Sequence, residues 1–180
     1  NLSRYSYSDA NEAYAFGYSN SLTTDADVDL FNLSYGPVAQ RAFYPDVGSQ
    51  VLTALTSGTT NLRNSKGASY IAAAGNDMTT NICSGGAFGA NDSNMPCWDA
   101  NLDNRFSLPY ITVIGSLNAD GIKASYSSPG SSLWASSFGG EFGNNSSHTS
   151  INSVGGNKPA IMTVDQASCS KGYTKSGVNA

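Results

Sequence analysis

Asn76 is the residue best placed to do chemistry. It ends the run "SYIAAAGND", Ser69 to Asp77, where small and apolar residues give way to Gly75 and then an amide. A parallel strand in an α/β sheet presents working groups just past its carboxyl end. Gly75 lets the backbone turn sharply there. An Asn side chain at such a turn can donate a hydrogen bond into a cleft. Acyl transfer uses such a donor, because its tetrahedral intermediate carries an oxyanion. The same residue also suits an ordinary turn in which its side chain satisfies local backbone groups.

The other reactive residue types are sparse. His148 is the sole histidine and lies in "NNSSHTS", a low-complexity stretch that reads as an exposed loop. Ser127, Ser128, Ser131 and Ser132 have no base in a recognisable motif beside them. Cys83, Cys97 and Cys169 make an odd set. Either Cys83 and Cys97 close the loop between them and leave one thiol over, or all three are unpaired. No CxxC or His cluster points to a transition metal. Asp77, Asp92, Asp99 and Asp103 lie in or beside one long loop and could hold calcium through oxygen ligands, although their spacing matches no defined calcium loop.

The elements that must carry these residues alternate. "SYSDANEAYAFGYSNSL" reads as a helix capped by Ser8 or Asp9, with Ala10, Ala13, Tyr14 and Phe16 on one face. Val28 to Leu33 reads as a strand stopped by Gly36-Pro37. A helix runs from about Val47 to an end at Lys66-Gly67, weakened by Gly58. "ASYIAAAGN" is a continuous apolar strand, the kind buried on both faces of a parallel sheet. The order helix, strand, helix, strand predicts an α/β fold with a mainly parallel sheet flanked by helices. Residues 77–107 read as a loop insertion. Tyr110 to Ser116 is a further buried strand ending in a turn at Asn118 to Gly121. Two short strands follow about the Ser-Pro-Gly turn, then a low-complexity loop at 139–158 and a last short strand, "PAIMTVD".

The bulk numbers narrow the classes. At 180 residues the chain is one domain by length. Charged residues make up 12%, about half of the usual share for a soluble domain. Gly, Ser, Asn and Thr fill the gap, which suits a secreted protein. Net charge is −4 with no basic cluster, so nucleic acid is a poor partner. No apolar run approaches the roughly 18 residues of a membrane helix. The chain opens on Asn1, without Met or a signal peptide, and reads as a mature or excised piece of something longer. Of the N-x-S/T sites at Asn32, Asn91, Asn144 and Asn145, Asn32 falls in the predicted buried strand and is a poor glycosylation site.

Four short motifs occur in a telling order. They are Ser34-Tyr35-Gly36 after a strand, Ala74-Gly75-Asn76 after the next, Pro109 to Gly115, and Ser127 to Gly130. Together they resemble the subtilisin-like serine proteases. "LSYGP" and "CWDANLDNRFSLPYITVIG" are similar to the kexin/furin-like branch of that family. The resemblance implies that Asn76 is the oxyanion-hole donor. It implies that Ser34, Tyr35 and Gly36 pair with the substrate backbone as an added strand. Ala73, Ala74 and Gly75 would floor the pocket for the side chain before the scissile bond. Asp103 would lie at the base of that pocket and favour Arg or Lys, or else be a loop Asp capping its own turn. The chain departs from the branch at Val38, Ala39 and Gln40, and at Ser127 to Pro129, where that branch carries acidic residues. Specificity for paired basic residues and the branch's pocket calcium are therefore not expected.

The family's Gly-Thr-Ser nucleophile and His-Gly-Thr base motifs are both missing. The resemblance thus places the chain between the catalytic His and the catalytic Ser of a secreted endopeptidase, inactive alone. Its partners would be a peptide or protein substrate and the remainder of the catalytic domain, with a homodimer of the piece possible. Cys169 would pair with a cysteine upstream of Asn1. Two alternatives stand beside this. One is a non-catalytic peptide-binding module derived from a protease. The other is a carbohydrate-binding domain using Tyr14, Tyr18, Tyr44, Trp98 and Trp134.

Overall fold

The computed structural model describes residues 9–22, 28–36, 46–76, 78, 99–141 and 159–161. Helix α1 is Asp9–Ala15, strand β1 Leu30–Leu33, helix α2 Ser49–Ser65 and strand β2 Ser69–Ala73. Strands β3, Ile111–Leu117, and β4, Leu133–Phe138, complete a four-stranded sheet in the order β1-β2-β3-β4. All three neighbouring pairs are parallel, so the α/β expectation holds.

The core lies where the helices meet the sheet. Val51, Ala54 and Leu55 of α2, and Ala13 and Phe16 at α1, pack in one cluster with Leu33, Tyr70, Ala72, Ala74, Ile111 and Val113. Phe31 and Tyr70 are register partners on adjacent strands, and their rings stack with centroids 4.7 Å apart. Phe16 meets both edge-on. Gly58 sits opposite Tyr70. A methyl group there would fall inside contact distance of the tyrosine hydroxyl, so the helix accepts a poor helix former to admit the ring.

The structure corrects several expectations. β2 is buried at Tyr70 and Ala72 but not at Ser69 or Ala73, and β3 alternates in the same way. One face of the sheet is packed and the other is partly open, because the described helices join a single cluster on one side. In α1 the buried positions are Glu12 and Ala13, with Phe16 just past its end, while Ala10 and Tyr14 are exposed. The last turn of α2 is not helical. Arg63, Asn64 and Ser65 have positive φ, and Arg63 is anchored by an ion pair of 2.6 Å to Asp29 and a bond to the Gly67 carbonyl.

Beyond β3, Asn118 accepts from the backbone N–H groups of Asp120 and Ile122 and so closes the predicted turn. Among the described residues one strand, β4, follows it. Lys123 makes an isolated antiparallel bridge to Leu117, Ala124 N–H still donates to the Ser116 carbonyl, and Ser128 N–H then donates to the Gly75 carbonyl instead. Ala160 of the expected last strand bridges Gly140, and 162–180 lie outside the described residues. Of the segment expected as a loop at 77–107, the described end holds two 3-10 turns, Ala100–Leu102 and Asn104–Ser107. Asn32 is exposed rather than buried.

Candidate active site at the carboxyl ends of β1 and β2

The exits of β1 and β2 lie side by side. Leu33 pairs with Ala72 in the ladder. Carried forward, that register sets Ser34 to Gly36 beside Ala73 to Gly75. Parallel strands force this juxtaposition, because both chains leave the sheet at the same end.

Asn76 stands at the tip of the β2 exit. Gly75 turns the chain with φ of 104°, a conformation that glycine adopts without strain. The turn is clamped from one side. Ala74 N–H donates to the Ile114 carbonyl, Ser128 N–H donates to the Gly75 carbonyl at 3.0 Å, and Met78 N–H donates to the Tyr126 carbonyl. The side chain of Asn76 is exposed and makes no hydrogen bond among the described residues.

The clamping segment is itself held by buried polar groups. Ser127 and Ser128 are fully buried, and Ser127 Oγ accepts from Ser116 N–H. Glu141 is buried and accepts from both the backbone N–H and the hydroxyl of Ser125. Lys123 Nζ donates to the carbonyls of Ala124 and Ser127. Burial lowers the Lys123 pKa below its ordinary value, and the Glu141 charge opposes that shift. Ser127 Oγ thus receives a backbone bond, and the Lys123 ammonium bonds two carbonyls.

At the β1 exit, Tyr35 is half-buried between exposed Ser34 and Gly36. Its hydroxyl donates to Glu12 Oε1 at 3.0 Å. The same oxygen accepts from Arg105 Nη1 at 2.8 Å. Arg105 in turn grips Asp103 through Nε and through Nη2 at 2.7 Å. Asp103 Oδ1 also accepts from the Arg105 backbone N–H, capping the 3-10 turn Asn104–Ser107. Asp103 is therefore buried, caps its own turn and meets an internal guanidinium. The cap expected of it is present in the structure.

Sequence reasoning missed Glu12, Arg105, Lys123 and Glu141. Glu12 left one trace, a charged residue beside Ala13 on the buried side of α1. Of the calcium candidates, Asp99 accepts from the Asn101 backbone N–H and Asp103 is engaged as above, while Asp77 and Asp92 lie outside the described residues. Among the described residues no group of three or more His, Cys, Asp or Glu side chains could hold a metal ion. His148, Cys83, Cys97, Cys169, Tyr44 and Trp98 also lie outside them, so the disulfide expectations rest on the sequence alone. No described helix is long and apolar enough to cross a membrane.

Comparison with known proteins gives a consistent result. The chain is 34% identical over 166 residues to the Aeromonas extracellular serine protease of Aeromonas sobria, covering 90% of this chain and 24% of that protein. It is 32% identical over 111 residues to the microbial serine proteinase of Aeromonas salmonicida, covering 60% of this chain and 16% of that protein. The crystal structure of the Aeromonas sobria serine protease superposes with a TM-score of 0.67 at 29% identity, covering 95% of this chain and 26% of that one. Its complex with the chaperone ORF2 gives 0.66 at 30% identity, covering 92% and 26%. No family model matches. The chain spans about a quarter of the length of the Aeromonas sobria relative. It is thus similar, over nearly all its residues, to one segment of a serine protease.

Proposed function

We propose that the chain is the part of a secreted serine endopeptidase that holds the substrate and its oxyanion, and that the nucleophile and base come from elsewhere in a longer protein. The observation that carries this reading is Asn76: an exposed amide without a bond among the described residues, on a glycine turn clamped at the end of β2. The similarity to Aeromonas serine proteases supports the reaction class, and the word extracellular in one relative's name supports secretion.

In this reading an extended peptide pairs with Ser34, Tyr35 and Gly36 as an added strand. The side chain before the scissile bond rests on Ala73, Ala74 and Gly75. A serine outside the motifs present here attacks the carbonyl. As the carbonyl oxygen gains negative charge, the Asn76 amide N–H donates to it in a position fixed beforehand by Gly75 and Ser128, so little reorganisation is needed. Asp103 enters as cap and counter-ion of Arg105. Selectivity for paired basic residues is not part of the proposal. The kexin-like branch is its finer form, resting on the Ser34 to Gly36 and Cys97 to Gly115 motifs. The remainder of the catalytic domain is the first partner expected. A separate protein partner fits too, since the Aeromonas sobria enzyme has been seen with a chaperone.

Labelling with a fluorophosphonate probe, which marks an activated serine, tests the reading. The full-length gene product should label and this chain should not. If neither labels, a non-catalytic peptide-binding module takes its place. If this chain labels alone, the nucleophile lies within it and the proposal is wrong.

A further inference from the structure

Three charges are buried together beside the β1 exit. Glu12, Asp103 and Arg105 are 3%, 4% and 6% exposed. Burying ions is costly unless the geometry is good and their hydrogen-bonding capacity is used. Here the geometry is good. Arg105 presents its fork to both oxygens of Asp103 and its remaining terminal nitrogen to Glu12. Glu12 is 93 residues away in sequence and Tyr35, the next link, is 23 residues from Glu12. The network therefore joins α1, the turn after Asp103 and the β1 exit, three segments that no ladder connects.

The β1 exit is where such a tie matters. The β1–β2 ladder ends at Leu33↔Ala72, so Tyr35 and Gly36 lie past the last paired residue. The Arg105 guanidinium lies 6.0 Å from the Tyr35 ring centroid. A methyl group built on Gly36 would stand 3.7 Å from Arg105 Nη2. One planar cation thus backs both residues, and Glu12 fixes the tyrosine from its far end.

We infer that Arg105 is a positioning residue for peptide binding: held between Glu12 and Asp103, it sets the backbone of Tyr35 and Gly36 in the extended form that an added substrate strand requires. This rests on the proposed function. It adds a role for a residue that touches no substrate, and it concerns main-chain pairing rather than the identity of the side chain at the scissile bond.

The test uses the full-length gene product and two anilides with the same scissile residue, one carrying that residue alone and one carrying four residues. Pairing with Ser34 to Gly36 benefits only the longer one. The readout is the ratio of kcat/KM, long over short. Arg105→Lys keeps the charge but loses the flat fork. It should lower the ratio about tenfold, mainly through a higher KM for the long substrate, as loss of a charged hydrogen-bond network does. Tyr35→Phe, which removes one hydroxyl, should lower it less, and it carries the test alone if Arg105→Lys does not fold. Variants that fold and keep the wild-type ratio, or that lose both substrates equally, overturn the inference. A wild-type protein that cleaves neither anilide instead overturns the proposed function, and the inference with it.

Discussion

The two ends of the sheet are finished to different degrees. On the β1–β2 side, Phe16, Leu33, Leu55 and Tyr70 are almost wholly buried, and even the charged residues there have partners. On β4, five of the six residues are exposed, Trp134 is 71% exposed and Phe138 68%. An aromatic pair left open on an edge strand is the sort of apolar surface that usually meets a partner. The residues around Asn76 and Tyr35, where the site is proposed, are braced by the segment's own helices and loops.

Substitutions on the two sides should therefore differ in size. The largest effect is expected from Arg105→Ala, which leaves Glu12 and Asp103 as buried charges without a counter-ion. A loss of about 3–5 kcal/mol in denaturant unfolding is expected for breaking such a network. A loss under about 1 kcal/mol, the range of exposed pairs, would show that the triad is solvated and the comparison overstated. Gly58→Ala comes next. The added methyl collides with Tyr70, so despite better helix propensity it should cost about 1–3 kcal/mol, the range for overpacking.

Tyr70→Phe sharpens the picture from the opposite direction. The Tyr70 hydroxyl is buried with no hydrogen-bond partner among the described residues. Removing it should raise stability by about 1 kcal/mol, because the cost of desolvating that hydroxyl disappears. Burial also pushes its pKa up from 10.0 to about 12. Between those values the folded state keeps a proton that the unfolded state releases. Stability should therefore be fully present below pH 10.0 and fall as pH rises towards about 12. The fall should be smaller in Tyr70→Phe when unfolding is followed across that window. The smallest effect is expected on the open side. Trp134→Ser should change unfolding by no more than about 0.5 kcal/mol in this chain, as exposed substitutions do. The same change in the full-length protein should cost more if that edge is covered there.

How much of this was legible in the sequence follows from the range of the interactions involved. Gly36, Gly75 and the apolar run at Ser69 to Ala74 are local signals, and they gave β1, β2, their parallel order and the place of Asn76. Three consecutive alanines carry no facing information, however. Their uniform small size read as burial on both sides, whereas Ala72 and Ala74 are buried and Ala73 is exposed. Of the two short strands expected about the Ser-Pro-Gly turn, only the later one, β4, forms; before the turn Lys123 and Glu141 satisfy backbone groups through their side chains, a pattern with no periodicity. The Glu12–Arg105–Asp103 network was invisible for a related reason. Local periodicity does not report that a charge in a helix meets another 93 residues later. Asp103 shows both sides of this: its neighbouring turn was readable, its guanidinium partner was not.

The most direct test of the central claim is the turnover of Asn76→Ala in the full-length gene product, measured at saturating peptide with folding checked by thermal melting. If Asn76 donates to the oxyanion, kcat should fall by about 100- to 1,000-fold while KM stays within a few-fold, because the bond strengthens only as charge develops. A variant that folds and turns over at the wild-type rate would contradict the account and return Asn76 to the role of an ordinary turn residue.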